Sequence, residues 1–100
     1  MTDLEVALKV AQKIYPDAKK VNQGIEQSYG VIFNPLAPET TIKLMEKLNL
    51  EVYPCYTEFG WVVRRVKLFS DKQNSKTATA TAATIQEAVY NCTIQIVEYK

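Results

Sequence analysis

With 100 residues the chain has the length of one ordinary domain, and it can bury about two-thirds of its unfolded surface without metal or disulfide staples. Its 47% apolar and 23% charged residues exclude a disordered tail. Twelve basic against eleven acidic residues leave a net charge of +1, which excludes bulk nucleic-acid binding by whole-surface charge and leaves room only for a local charged patch.

The first helix is predicted over residues 3–15, where Leu4, Ala7, Leu8, Ala11, Ile14 and Tyr15 make an apolar stripe before Pro16-Asp17 stops it. Residues 28–33 read as a strand, weakened by Gly30. A second helix is predicted over 38–48. Pro38 suits its first position, Ile42, Met45 and Leu48 are expected to face the core, Lys43 and Lys47 to face water, and Asn49 to end it.

Residues 50–56 and 61–69 are rich in β-branched and aromatic side chains and read as strands joined by a hairpin loop at 57–60. A polar loop at 70–75 leads to a strand over 76–82 that alternates threonine with alanine. Its small side chains Ala78, Ala80 and Ala82 would let a helix approach closely. Thr84 and Glu87 form a capping-box pattern that opens a last helix, with Ile85, Ala88, Val89, Cys92, Ile96 and Tyr99 on its apolar face. This order predicts a single α/β domain of the α+β type over 1–100. Three helices would pack on a mainly antiparallel sheet of three to four strands, as an α-β-α sandwich.

Several of these features together resemble a known family. They are Asn34-Pro35 before the second helix, Ile42, Met45 and Leu48 within it, Trp61 in a strand, the alanines at 78–82, and Thr84-x-x-Glu87-Ala88-Val89. The pattern, over about 33–98, is similar to that of the phage ABA sandwich domain, although Leu36-Ala37-Pro38-Glu39 departs from that family's aromatic-plus-hydroxyl entry. The resemblance implies a sheet between helical layers and a phage protein acting in the host cytoplasm. It implies no activity and no catalytic residue.

The residues themselves argue for binding without catalysis. No histidine supplies a general base near neutral pH, and no nucleophile elbow, phosphate loop or dinucleotide fingerprint is present. Cys55 and Cys92 lack metal-ligand spacing and are expected as reduced thiols, so neither metal nor cofactor is expected. No apolar run is long enough for a membrane span, and residues 1–5 lack a secretory start, so a cytoplasmic protein with no membrane partner is expected.

Two stretches carry the functional expectation. The chain's two arginines and its one tryptophan lie in the strand at 61–69, where alternation places Trp61, Arg65 and Lys67 on one face and Arg64 on the other. Arg64 or Arg65 with Lys67, Trp61 and Tyr53 of the neighbouring strand could grip an anionic, nucleotide-like molecule as a sequestering sponge. Alternatively, these charges guard an edge strand and pair with Glu51 and Glu58.

On the last helix, Tyr90, Ile94 and Val97 form a second apolar stripe opposite the first. That stripe suits a homo-oligomer or a host-protein contact, unless the first helix or the N-terminal strand covers it. A double-stranded RNA-binding module shares the element order from residue 38 onward. Its lysines at the start of the last helix have no counterpart beyond Lys76.

Overall fold

Three helices form where local chemistry starts and stops them: α1 (Asp3–Ile14), α2 (Pro38–Leu48) and α3 (Ile85–Glu98). The computed structural model describes residues 3–55, 60–65 and 78–98. After α1 the chain turns at Pro16-Asp17, with the Ala18 N–H donating to the Tyr15 carbonyl at 2.9 Å. Pro38 occupies the start of α2, and Asn49 takes the left-handed conformation (φ 55°) that closes it, its N–H donating to the Met45 carbonyl. At α3 one half of the capping box forms, the Glu87 N–H donating to Thr84 Oγ1 at 3.2 Å.

The helix faces differ from the expected ones in two places. In α1 the buried line runs through Val6, Val10 and Ala11, while Leu4 is exposed. Ala7, Leu8, Ile14 and Tyr15 pack at its margins. In α2, Thr40, Thr41, Leu44 and Leu48 are buried, and Ile42 is 55% exposed. Threonine can be buried there because the Thr40 hydroxyl donates to the Asn34 carbonyl at 2.9 Å and the Thr41 hydroxyl to the Ala37 carbonyl at 3.2 Å. With both hydroxyls satisfied, α2 rotates its threonine side inward and leaves Ile42 outside.

In place of one sheet the described residues build two, each of three antiparallel strands. The first joins β1 (Lys19–Val21), β2 (Gly24–Ser28) and β3 (Val31–Ile32). The strand expected at 28–33 is broken by a turn. Tyr29 and Gly30 both have positive φ (47° and 78°) between the paired Ser28 and Val31, which is what a two-residue type I′ hairpin requires. The second sheet joins β4 (Leu50–Pro54), β5 (Trp61–Arg65) and β6 (Thr79–Ala82), in that order. Cys55 and Ala78 fall just outside β4 and β6, and the rest of the expected strands at 50–56, 61–69 and 76–82, with most of the 57–60 loop and the loop at 70–75, lies outside the described residues.

The register of the second sheet sorts its side chains. Glu51 stands across from Arg64, Val52 from Val63 and Tyr53 from Val62, while Ala80 pairs with Val63 and Thr79 with Arg64. One face therefore carries Leu50, Val52, Trp61, Val63, Ala80 and Ala82, and α3 packs against it. The alanines do permit close approach, since Cys92 Sγ lies 3.6 Å from the Ala78 carbonyl oxygen. The other face presents Arg64, Thr79 and Thr81 to solvent. The three helices pack on one another, with α1 against β2 and α3 against β5 and β6. A single buried cluster, from Val10 and Ile25 to Leu44, Val63 and Val89, joins all three helices to both sheets.

Candidate functional site

The expected basic-aromatic group is divided by the pleat. Trp61 and Arg65 belong to the face that α3 covers, where Trp61 packs against the core and Arg65 emerges exposed at the end. Tyr53 lies on the opposite face with Arg64, so it does not join Trp61. The Arg64 guanidinium sits 5.9 Å from the Tyr53 ring centre and is held by Glu51, its Nε donating to a carboxylate oxygen at 2.7 Å. Arg64 is thus committed to the expected ion pair with Glu51, but β5 is the central strand of its sheet and not an edge, so this charge guards no edge. Lys67 and Glu58 lie outside the described residues.

The second stripe of α3 is partly covered from within. Tyr90, Ile94 and Val97 are half-buried against the core, with α1 as the neighbouring helix. Burial, and next the charge of Asp3 at the start of α1, push the Tyr90 hydroxyl pKa up. Between the far ends of α1 and α3 lies a cleft of about 350 Å³ lined by Lys9, Gln12, Lys13, Ile96 and Val97.

A second cleft, of about 380 Å³, opens between α1 and α2. Lys13, Lys43 and Lys47 line it beside Ile14, Pro16 and Glu46. Lys43 is fixed in place, its ammonium donating to the Tyr15 hydroxyl at 3.0 Å and lying 4.7 Å from the centre of that ring.

Among the described residues, the four sheet edges set one surface apart. An exposed edge invites another strand, and proteins oppose this with lysine, proline or covering groups. On β1, Lys19 and Lys20 are both exposed. On β4 the last residue is Pro54, which has no N–H to offer. On β6 the outward-facing backbone of Thr79 is taken by a side chain. Gln95 of α3 donates from Nε2 to the Thr79 carbonyl at 2.6 Å and accepts the Thr79 N–H on Oε1 at 3.2 Å. The amide of Gln95 thus occupies the position of a neighbouring strand.

Among the described residues, β3 carries no such device. The Phe33 N–H donates to the Ile25 carbonyl at 2.7 Å, which makes Glu26 and Ile32 a non-hydrogen-bonded pair. The N–H and C=O of Ile32 therefore turn away from β2, toward the open side. The side chains here are apolar and accessible, with Val31 51% and Ile32 42% exposed, Leu36 exposed beyond them, and Tyr29 fully exposed at the hairpin tip.

Tyr29 is the sharpest anomaly. Its left-handed position is one that asparagine, aspartate or glycine fills at least cost, and there its ring gains nothing from the fold. Sequence reasoning missed this surface because a two-residue strand is too short to show alternation. The available signal was Tyr29-Gly30 flanked by apolar residues at 31, 32 and 36.

Among the described residues, no group of acidic, cysteine or histidine side chains has the geometry to hold a metal ion, and no helix is long and apolar enough to cross a membrane. No protein family, curated protein or solved structure matches the chain.

Proposed function

We propose that the chain is a non-enzymatic protein-binding module that takes an extended segment of a partner onto the open edge of β3. The observation that carries this reading is the contrast among the edges. Lysines, a proline and the Gln95 amide oppose strand addition at β1, β4 and β6, whereas β3 combines outward backbone groups at Ile32 with exposed Val31, Ile32 and Tyr29. Main-chain hydrogen bonds would supply affinity, and the ring of Tyr29 would add an anchor of a kind enriched at interfaces. The resemblance to the phage family, itself a proposal, would make a host protein one such partner.

The test places a photocrosslinking benzoylphenylalanine at Tyr29, where full exposure leaves the fold undisturbed. Adducts formed in cells and lost when Ile32 is also changed to proline would support strand addition. No adduct, or adducts indifferent to Ile32→Pro, would overturn it.

A second reading keeps an anionic small molecule as ligand and rests on the three lysines around the α1–α2 cleft. A cavity of about 380 Å³ is within the range of nucleotide-sized ligands. A selective thermal shift with a nucleotide, abolished by Lys43→Ala, would support it, and a flat screen would reject it.

A further inference from the structure

Building on the strand-addition reading, we infer that the segment seated on β3 is β3 of a second copy of this chain, antiparallel about a two-fold axis at Ile32. A strand can pair with itself in this way when its central residue turns both backbone groups outward and the pairable stretch is bounded symmetrically. Both conditions hold here. Ile32 is the residue whose N–H and C=O face away from β2. The Tyr29-Gly30 turn bounds the stretch on one side. On the other, Pro35 follows Asn34, whose carbonyl is already used by Ala37 and Thr40.

Antiparallel pairing centred on Ile32 fixes the contacts of residues 31–33 by arithmetic. Ile32 meets Ile32 of the second copy as a hydrogen-bonded pair, each N–H donating to the other's carbonyl. Their side chains then stand together on the face that carries Glu26. Val31 meets Phe33 of the second copy, and beyond these the chain turns away on both sides, which leaves the exposed Tyr29 ring at the rim of the contact. The surface is thus self-complementary, as an isologous interface must be. No charged residue occurs between Gln27 and Ala37, so the two-fold brings no like charges together along the paired segment.

The interface is small. Covering Val31 and Ile32 with part of the Tyr29 ring removes on the order of 200–300 Å² of apolar surface per copy, less than half a standard protein interface, so the dimer is weak and concentration-dependent.

Sedimentation equilibrium over a concentration series, from micromolar to millimolar, tests the inference on the full chain. The wild type is expected to show a reversible monomer–dimer equilibrium. Ile32→Pro removes only an outward N–H and leaves the ladder to β2 intact, so it should weaken dimerisation by about tenfold or more with the melting temperature preserved. Ile32→Lys and Ile32→Glu provide a second route. Each alone should be monomeric, and an equimolar mixture should recover heterodimer, because the two-fold sets position 32 against itself.

A wild type monomeric at millimolar concentration, a dimer insensitive to Ile32→Pro, or no recovery on mixing would each overturn the second copy as occupant. The strand-addition reading fails separately, if crosslinking from position 29 yields no Ile32-dependent adduct with any protein.

Discussion

Replacing Gln95 by alanine uncovers the outer backbone of β6. The two hydrogen bonds lost measure 2.6 and 3.2 Å and lie at the surface, so water takes up the Thr79 groups afterwards. At about 0.5–1 kcal/mol net for each of these exposed bonds, the lower part of the usual range, the loss is about 1–2 kcal/mol. In a 100-residue domain each kcal/mol shifts the melting temperature by roughly 4–8 °C, so a fall of about 4–16 °C is expected.

Circular dichroism melts give the shift, and hydrogen exchange at the Thr79 amide reports the bond directly. Gln95→Glu is the sharper control. Its carboxylate can still accept the Thr79 N–H but faces the Thr79 carbonyl with a second acceptor, so it should be no better than alanine. Light scattering should also rise in Gln95→Ala, since a second open edge now exists. An unchanged melting temperature together with an unchanged Thr79 exchange rate would refute the idea that this amide seals the sheet.

Other consequences follow from single positions. Gly60 has φ +140°, and a Cβ there would press into the Ala82 carbonyl, so Gly60→Ala should cost at least about 2 kcal/mol in urea unfolding. Burial pushes the Cys92 thiol up to about 11, while the Arg65 backbone and charge pull weakly the other way. The raised value means the folded state holds this proton more tightly than the unfolded chain. Stability is then full below pH 9 and declines as pH rises toward 11, by roughly 2–3 kcal/mol, and the decline should flatten in Cys92→Ala. Arg64→Ala should leave the melting temperature unchanged at 0.15 M salt, because both partners of the Glu51 pair are substantially exposed.

How much of this was legible in the sequence depended on whether a feature was local. The bounds of α2 could be read because Pro38 and Asn49 act on their own backbone. The face α2 buries could not, because a hydropathy pattern scores Thr40 and Thr41 as polar, and their burial depends on the Asn34 and Ala37 carbonyls. Thr93 of α3, fully buried with its hydroxyl donating to the Val89 carbonyl at 2.8 Å, repeats the lesson.

Alternation correctly separated Trp61 and Arg65 from Arg64, but the sequence could not say which face α3 would cover or which partner Arg64 would take. Of the first sheet only a strand at 28–33 could be read, across what is a turn, because the three strands span three, five and two residues, too short to show alternation. The open edge of β3 is a tertiary property. It exists only by comparison with three other edges, one of them sealed by a residue sixteen positions away in the chain.

The first sheet holds little interior of its own. Ile25 is its one buried strand residue, and Phe33 just beyond β3 completes the anchor, its ring edge-on to Tyr15 at 6.5 Å. A sub-structure pinned by two side chains can detach while the helices and the second sheet stay folded, so, among the described residues, the segment 19–33 should open at lower free energy than the helices and the second sheet. Occupation of β3 would then act as a clamp on that part. In native-state hydrogen exchange the Ile25 and Phe33 amides should slow when a partner is bound, and the core amides of Val63 and Val89 should not.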